Sequence, residues 1–283
     1  MSQINCEIGI IGGSGVYQID GIEIIEEITI ETPFGKPSDK VVFARLEGTE
    51  FLFLARHNRS HTILPHEVNY CANIYALKSL GVKFLISVSA VGSLKEEMPP
   101  GTIFFPDQFI DWTKGQRRRS FYGEGIVSHV SVANPIEKTL QELLFNQAQD
   151  NKISSFKDGS YICIEGPQFS SFAESNIYRS FGASVIGMTN VPEAYLAKEA
   201  AMAYATMALV TDYDCWKQEH CTVEEIMKVM KGNNLAAQKI IKSSLGKINA
   251  NSVSIDKQNE VGLMSSMEKL DTNQQEILKT LLR

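Results

Sequence analysis

The sequence predicts a single-domain α/β protein in which helices wrap a β-sheet. Apolar segments of strand length alternate with segments of helical period along most of the chain, which is typical of that fold class. The chain has 283 residues, of which 43% are hydrophobic, so it can bury a substantial core without disulfide bonds. Because neither an internal repeat nor a low-complexity linker interrupts the pattern, one domain over residues 1–283 fits better than two.

The apolar segments of strand length are predicted as β-strands. The first ends in the glycine-rich turn Gly12–Gly15, and the continuously apolar run from Phe51 to Ala55 is typical of a strand covered on both faces. The predicted strands are Cys6–Ile11, 22–30, 41–46, Phe51–Ala55, Phe84–Ser89, Thr102–Phe105, Tyr161–Glu165, Val185–Met188 and Ala205–Thr211.

Helical periodicity begins after Pro65 and recurs through the chain. Gly81 is a plausible C-terminal cap of the first helix, and Thr222 with Glu225 forms a capping box that opens a later one. Further helices are predicted over 136–148, 173–181 and 192–203. From about residue 252 the chain is polar and loses clear periodicity until residues 274–282, so the segment 252–283 is assigned no role.

Charge and composition exclude several function classes. The net charge of −6 and the pI of about 5.5 argue against a nucleic-acid partner, and the short run Arg117–Arg119 is interpreted as a solvated loop. The five cysteines show no C-x-x-C spacing, which argues against a disulfide framework and favours a reducing compartment. Neither a signal peptide nor an apolar run of ~18 residues is found, so we expect a cytoplasmic protein with no membrane partner.

Polar residues follow the ends of several predicted strands. In open α/β sheets ligands bind beyond the carboxyl ends of the strands, so these residues are considered together as a candidate site. They are Ser14, Arg56, His57, Ser89, Thr189, Asp212 and Asp214.

The glycine turn that contains Ser14 could hold an anion with backbone N–H groups and the serine hydroxyl. Its spacing matches neither the dinucleotide-binding pattern G-x-G-x-x-G nor the P-loop with its lysine. Those two nucleotide-binding classes are therefore excluded. Taken alone, an ordinary tight turn remains the favoured interpretation.

Arg56 and His57 could bind phosphate, because a guanidinium presents a planar fork to phosphate oxygens and a histidine can donate a further hydrogen bond. For an isolated pair, a surface ion pair and a structural histidine are the better interpretation. His57 and His61 are four residues apart, but neither an H-E-x-x-H motif nor a cysteine partner accompanies them, so a zinc site is rejected.

Asp212 and Asp214 stand directly after an apolar strand and next to Tyr213 and Trp216. In a partly dry pocket burial would raise at least one of the two pKa values, so that a protonated aspartic acid could donate a hydrogen bond. A solvated turn is the alternative, since D-x-D also occurs in ordinary loops.

Taken together, ordered blocks of this sequence resemble the family of 5'-methylthioadenosine phosphorylases and trimeric purine nucleoside phosphorylases. The similarity runs from about residue 7 to about residue 230, and the TDYDCW block is similar to the methylthioadenosine branch. The blocks are GIIGGSG at 9–15, ETPFGKPSD at 31–39, ARHNRSHTILPHEVNY at 55–70, SAVGSL at 89–94, DQFIDWT at 107–113, EGPQFSS at 165–171, GMTNVPEAYLAKEA at 187–200 and TDYDCW at 211–216.

The resemblance implies a mixed β-sheet that forms a distorted barrel surrounded by helices, usually in a homotrimer. It implies no metal and no organic cofactor, with inorganic phosphate as a co-substrate. It also implies that the C-terminal region covers the 5' end of the substrate. The implied phosphate-binding residues are Ser14, Arg56, His57, Ser89, Ala90 and Thr189; the implied nucleoside-binding residues are Met188 and His129 at the ribose, Ser170, Asp212 and Asp214 at the purine, and Val223 at the 5' substituent.

The activity that the resemblance implies is phosphorolysis of 5'-methylthioadenosine to adenine and 5-methylthioribose 1-phosphate, in purine and methionine salvage. Asp212, protonated, would donate to purine N7, and Asp214 would accept from the 6-amino group, although coupled carboxyls can exchange these roles.

Other functions stay open at this point. One is a purine nucleoside phosphorylase that acts on adenosine, inosine, guanosine or methylthioinosine. Others are a nucleoside hydrolase and a non-catalytic nucleotide-binding module. A Rossmann oxidoreductase is rejected because the glycine spacing is wrong.

Overall fold

The computed structural model describes residues 4–13, 15, 19–217 and 223–283, apart from the side chains of residues 223, 225 and 226. Three sequence predictions consequently lie outside the described residues: the anion-binding role of Ser14, the Val223 side chain, and the capping box of Thr222 and Glu225.

The described part of the chain forms a mixed sheet, and most of its strands match the predicted ones. Two strands, β7 and β8, are missing from the sequence prediction. The strands are β1 Ile8–Gly12, β2 Glu23–Ile28, β3 Val41–Leu46, β4 Thr49–Ala55, β5 Phe84–Ser93, β6 Ile103–Phe105, β7 Gln108–Trp112, β8 Ser155–Lys157, β9 Ser160–Ile164, β10 Val185–Gly187 and β11 Ala203–Asp212.

The sheet branches at β5, its central strand. One edge of β5 pairs with β11 over almost its whole length. The other edge pairs with β1 at residues 84–87 and with β10 at residues 92 and 93. Between these two pairings, residues 88–91 have no strand beside them on that edge in the described part of the chain. The sheet therefore splits at this point.

The branches that leave β5 do not meet again. One runs β1, β4, β3, β2, another runs β10, β9, β7, and the third runs β11, β6, β8. Within the described residues no pairing joins the outer strands β2, β7 and β8, so the distorted barrel that the resemblance implies is an open one. The prediction of an α/β fold with a mixed sheet is confirmed.

Helices cover both sides of this sheet. The first helix is buried along almost its whole length, so it is covered by the rest of the fold on all sides. Gly81 follows it with φ +99° and donates its N–H to Lys78, as expected of a C-terminal cap. The helices are α1 Tyr70–Ser79, α2 Lys138–Asp150, α3 Phe172–Ser180, α4 Asn190–Glu199, α5 Val223–Leu245, α6 Gln258–Gly262 and α7 Thr272–Leu281.

The C-terminal segment that the sequence leaves unassigned packs against the rest of the fold. Leu278 and Leu281 are fully buried in the same core cluster as Ile8. The Tyr75 hydroxyl on α1 donates a hydrogen bond to Thr280 on α7 at 3.0 Å. Both ends of the described chain therefore contribute to one hydrophobic core. No helix among the described residues is long and apolar enough to cross a membrane.

The arginine run at 117–119 is not the solvated loop that the sequence indicates. Arg118 and Arg119 are exposed. Arg117 is only 5% exposed, and its guanidinium contacts the segments that follow β9 and β10. The prediction is wrong for Arg117 because buried main-chain carbonyls and Glu165 surround it, and these partners are distant in sequence.

Candidate active site

A cavity of about 660 Å³ opens where the sheet splits at β5. Its walls are the carboxyl ends of β1, β4, β5, β10 and β11, the segment between β9 and α3, and one side of α5. This is the position at which open α/β sheets bind ligands, and the volume suits a nucleoside-sized molecule.

The cavity brings together most of the residues that the sequence predicts for the site. Those that line it are Arg56, His57, Ser89, Ala90, Ser170, Met188, Thr189, Asp212 and Asp214. The possible anion-binding residues and the two aspartates thus share one cavity, as the proposed chemistry requires.

His129 does not line this cavity in the single chain. It is exposed on the surface, and its main-chain N–H donates to the main-chain carbonyl of Gly262. The described part of the single chain therefore does not bring His129 to the cavity, and its ribose contact stays a prediction.

Arg56 is held rigidly at the base of the cavity. Its Nε and Nη2 donate to the two oxygens of the Glu193 carboxylate at 2.6 and 2.9 Å. Nη2 also donates to Ser87 Oγ and Nη1 to the Val88 carbonyl. One N–H of Nη1 makes no hydrogen bond among the described residues. The guanidinium is therefore oriented by its neighbours and keeps one donor for a ligand.

Glu193 and Asn190 are functional neighbours that the sequence analysis did not single out. Both are fully buried. Glu193 accepts hydrogen bonds from Arg56, Ser87 and Tyr204, and this carboxylate raises the pKa of Arg56 although burial opposes it. The sequence offered one signal for Glu193: it is a charged residue flanked by apolar residues in α4. A carboxylate that is buried in this way needs a cation or hydrogen-bond donors as partners.

His57 is neutral at physiological pH. Burial lowers its pKa to about 4, and the charge of Arg56 adds to the effect. Its Nδ1 lies 2.8 Å from the Ile63 carbonyl, which can only accept, so Nδ1 carries the hydrogen. Nε2 is then an acceptor, which differs from the donor role expected from the sequence and suits a protonated phosphate oxygen.

We expect His57 to make the stability of the protein depend on pH in the acidic range. Since its folded pKa of about 4 lies below the ordinary 6.5, the unfolded chain binds more protons between these values. The free energy of unfolding should therefore fall as the pH drops from 6.5 to 4. Urea unfolding at a series of pH values measures this, and His57→Asn, which keeps a donor for Ile63, should show a shallower decline. An unchanged slope in this variant would contradict the assignment.

Two hydroxyl groups line the cavity together with Arg56. Thr189 Oγ1 is buried near the Tyr161 hydroxyl, and it makes no hydrogen bond of ordinary geometry among the described residues. Ser89 Oγ donates to Asn190 Oδ1 at 2.8 Å. An anion bound here would accept from Thr189 and from the remaining N–H of Arg56.

The aspartate pair lines the same cavity at the end of β11. Asp212 accepts from the Thr211 hydroxyl at 2.7 Å and from the Asp214 N–H at 2.9 Å. Burial raises the pKa of Asp214, and the charge of Asp212 raises it further. Burial beside a second carboxylate therefore favours the protonated form of Asp214. The two carboxyls are coupled, however, so a bound base can move the proton between them.

Much of the remaining wall of the cavity is apolar, although α5 also contributes Asn234 and Gln238. Met227, Met230 and Ile241 of α5 contribute to it, together with Phe169 and Leu64. Among the described residues that line the cavity none lies after residue 241. In the described part of the chain α5 lines this side of the cavity, and the covering role that the resemblance implies for the C-terminal region stays a prediction.

The described cysteines and carboxylates show no sign of a disulfide or metal centre. Cys6, Cys71, Cys163 and Cys215 are free thiols. Within the described ranges no group of three or more histidine, cysteine, aspartate or glutamate residues could hold a metal ion.

Comparisons with known proteins agree with this geometry. The model of the phosphorylase superfamily matches residues 7–246. The S-methyl-5'-thioadenosine phosphorylase of Geobacter sulfurreducens is 51% identical over 85% of each chain.

Solved structures are similar as well. The crystal structure of a methylthioadenosine phosphorylase sourced from an antarctic soil metagenomic library has a TM-score of 0.93 at 41% identity, and covers 99% of this chain and 100% of its own. A mutant adenosine/methylthioadenosine phosphorylase from Schistosoma mansoni, in complex with adenine, has a TM-score of 0.84 at 30% identity, over 94% of this chain and 100% of its own.

Proposed function

Because the chain belongs to the phosphorylase superfamily, we propose that it cleaves 5'-methylthioadenosine with inorganic phosphate. The products are adenine and 5-methylthioribose 1-phosphate, so the enzyme is a pentosyltransferase of purine and methionine salvage. The observation that carries this proposal is the shared cavity, which is lined by Arg56, His57 and Thr189 as well as by Asp212 and Asp214 and has the volume for one nucleoside.

Bond cleavage leaves the electron pair of the C1'–N9 bond on the purine and positive charge on the ribose. The single proton held by Asp212 and Asp214 is then donated to N7, and the other carboxylate accepts from the 6-amino group. Donation to a leaving group of this kind contributes typically ~10²–10⁴-fold to the rate.

On the other face a phosphate oxygen forms the new bond to C1'. Arg56 and Thr189 donate to the phosphate, and the neutral His57 accepts a hydrogen bond at Nε2 from a protonated phosphate oxygen. The negative phosphate also stabilises the positive ribosyl group electrostatically. The reaction then needs no metal and no organic cofactor, because positioning and charge supply the catalysis.

The walls of the cavity also support the choice of nucleoside. A carboxylate accepts from a 6-amino group but repels a 6-carbonyl oxygen, so the aspartate pair favours adenine over hypoxanthine or guanine. The methionines of α5, Met227 and Met230, offer a soft apolar surface for a methylthio group.

We extend the proposal to the assembly and the compartment. A homotrimer would let the exposed His129 of one subunit reach the ribose in the cavity of another. The free thiols are consistent with a reducing compartment, so the reaction is placed in the cytoplasm.

The test is to incubate purified protein with methylthioadenosine, adenosine, inosine and methylthioinosine, each with and without phosphate, and to follow base release by ultraviolet absorbance. Adenine release from methylthioadenosine should require phosphate and have the highest kcat/KM. Release without phosphate would indicate a hydrolase, and preference for inosine would indicate a purine nucleoside phosphorylase for 6-oxopurines.

A further inference from the structure

Arg117 uses its whole guanidinium on neighbouring protein groups beneath the cavity. Nε donates to the Glu165 carboxylate at 2.6 Å, and Nη2 donates to the Glu165 carbonyl at 2.8 Å and more weakly to the Ile164 carbonyl. Nη1 donates to the carbonyls of Met188 and Val191 at 2.7 and 2.8 Å. These contacts engage all five N–H groups, so Arg117 has no donor left for a ligand.

The segments that Arg117 joins form two walls of the cavity. Met188 and Thr189, which line the cavity, lie between β10 and α4, and Arg117 holds the carbonyls on both sides of Thr189. The second segment follows β9 and begins at Glu165, and its Phe169 and Ser170 also line the cavity. One side chain therefore connects the segment of Thr189, which is predicted to bind phosphate, with the segment of Ser170, which is predicted to lie beside the purine.

These two walls are also in close contact with each other. A Cβ at Gly166 would lie 2.5 Å from Met188 Sδ, so glycine at this position lets the second segment pack against Met188. Since Gly166 has φ +68°, a side chain there would also be strained. The spacing of the walls thus depends on tight packing as well as on the guanidinium of Arg117.

We infer that Arg117 is a positioning residue for the reaction, holding the Met188–Thr189 wall and the 165–170 segment at the separation that phosphate and nucleoside need. This inference rests on the function proposed above. Arg117 acts through the backbone of these segments and does not touch the substrate. Because a displacement of about 1 Å can cost ~10²-fold in rate, the loss of this connection should be visible in the kinetics.

The neighbouring arginines provide matched controls. Arg118 is exposed and its guanidinium lies over the Phe34 ring, 4.8 Å from the centroid. Arg119 is exposed and pairs with Asp111. Neither lines the cavity in the described part of the chain, so replacing either one removes an arginine from the same loop without affecting the two walls.

The experiment compares Arg117→Lys with Arg118→Ala and Arg119→Ala. Lysine keeps a positive charge near Glu165 but lacks the planar fork that reaches several carbonyls at once. A second variant, Arg117→Met with Glu165→Gln, removes the buried charge pair as a unit and leaves no unpaired carboxylate. For each protein kcat and KM are measured for methylthioadenosine and for phosphate, at a temperature where circular dichroism shows it to be folded.

We expect kcat/KM to fall about 10²-fold in both Arg117 variants, with KM raised for phosphate and for nucleoside together. The two controls should stay within about twofold of the wild type. A purely structural role would lower Tm but leave both KM values unchanged in the folded variants, and that result would overturn the inference. Failure of the proposed function is distinguishable, since the wild type itself would then lack phosphate-dependent adenine release.

Discussion

Replacing Asp212 with asparagine should lower kcat for methylthioadenosine by about 10²–10⁴-fold, the contribution expected of a general acid. The amide can still donate a hydrogen bond, but it cannot transfer a proton to N7. Steady-state kinetics at saturating phosphate measures this loss. Because the two hydrogen bonds that Asp212 accepts come from Thr211 and Asp214 within its own turn, the fold should be retained.

Asp158→Asn is a suitable control for this change. Asp158 is exposed, lies outside the cavity and has φ +65°, a conformation that asparagine adopts readily. The control should keep wild-type kinetics. If Asp212→Asn retained full activity while Asp214→Asn lost it, the proton donor would be Asp214, in agreement with its raised pKa. If both variants kept full activity, the pair would have no role in leaving-group protonation.

Replacing Arg56 with alanine should both destabilise the protein and impair its use of phosphate. The change leaves the fully buried Glu193 carboxylate without its cation, which typically costs about 3–5 kcal/mol in the free energy of unfolding. It also removes the N–H that faces the cavity, so KM for phosphate should rise. Urea unfolding and phosphate-dependent kinetics measure the two effects separately.

The double variant Arg56→Met with Glu193→Gln separates stability from catalysis. It removes both buried charges, so much of the lost stability should return while KM for phosphate stays high. Arg45→Ala is the control, because its ion pair with Glu50 is exposed and should contribute at most about 1 kcal/mol. A normal KM for phosphate in the double variant would remove Arg56 from the phosphate site.

Much of the secondary structure was predictable from the sequence because its signals are local. The strand β3 was predicted with its observed bounds, β4 begins two residues before its predicted start, and β5 continues four residues beyond its predicted end, to Ser93. The short strand β8, Ser155–Lys157, was missed because three partly exposed residues are too few to show a periodic pattern. The strand is defined by its pairing with β6. The strand β7 was missed for a similar reason, since its buried and exposed residues do not alternate regularly.

The candidate site was predicted in outline because its residues follow the ends of apolar strands. Arg56 and His57 after β4, and Asp212 at the end of β11, share the carboxyl edge of one sheet, so a rule about strand ends brings them together. The functions of Glu193 and Arg117 could not be predicted in the same way. Nothing local distinguishes the buried Arg117 from its exposed neighbours Arg118 and Arg119.

The sequence by itself determined the α/β class, the order of most elements and the polar residues at the strand ends, because these depend on composition and on periods of a few residues. The tertiary structure alone decided that the sheet splits at β5, that α5 lines one side of the cavity and that two arginines are buried. The physical reason is that burial and hydrogen bonding join distant parts of the chain: Arg56 and Glu193 are 137 positions apart, and Arg117 and Val191 are 74 apart.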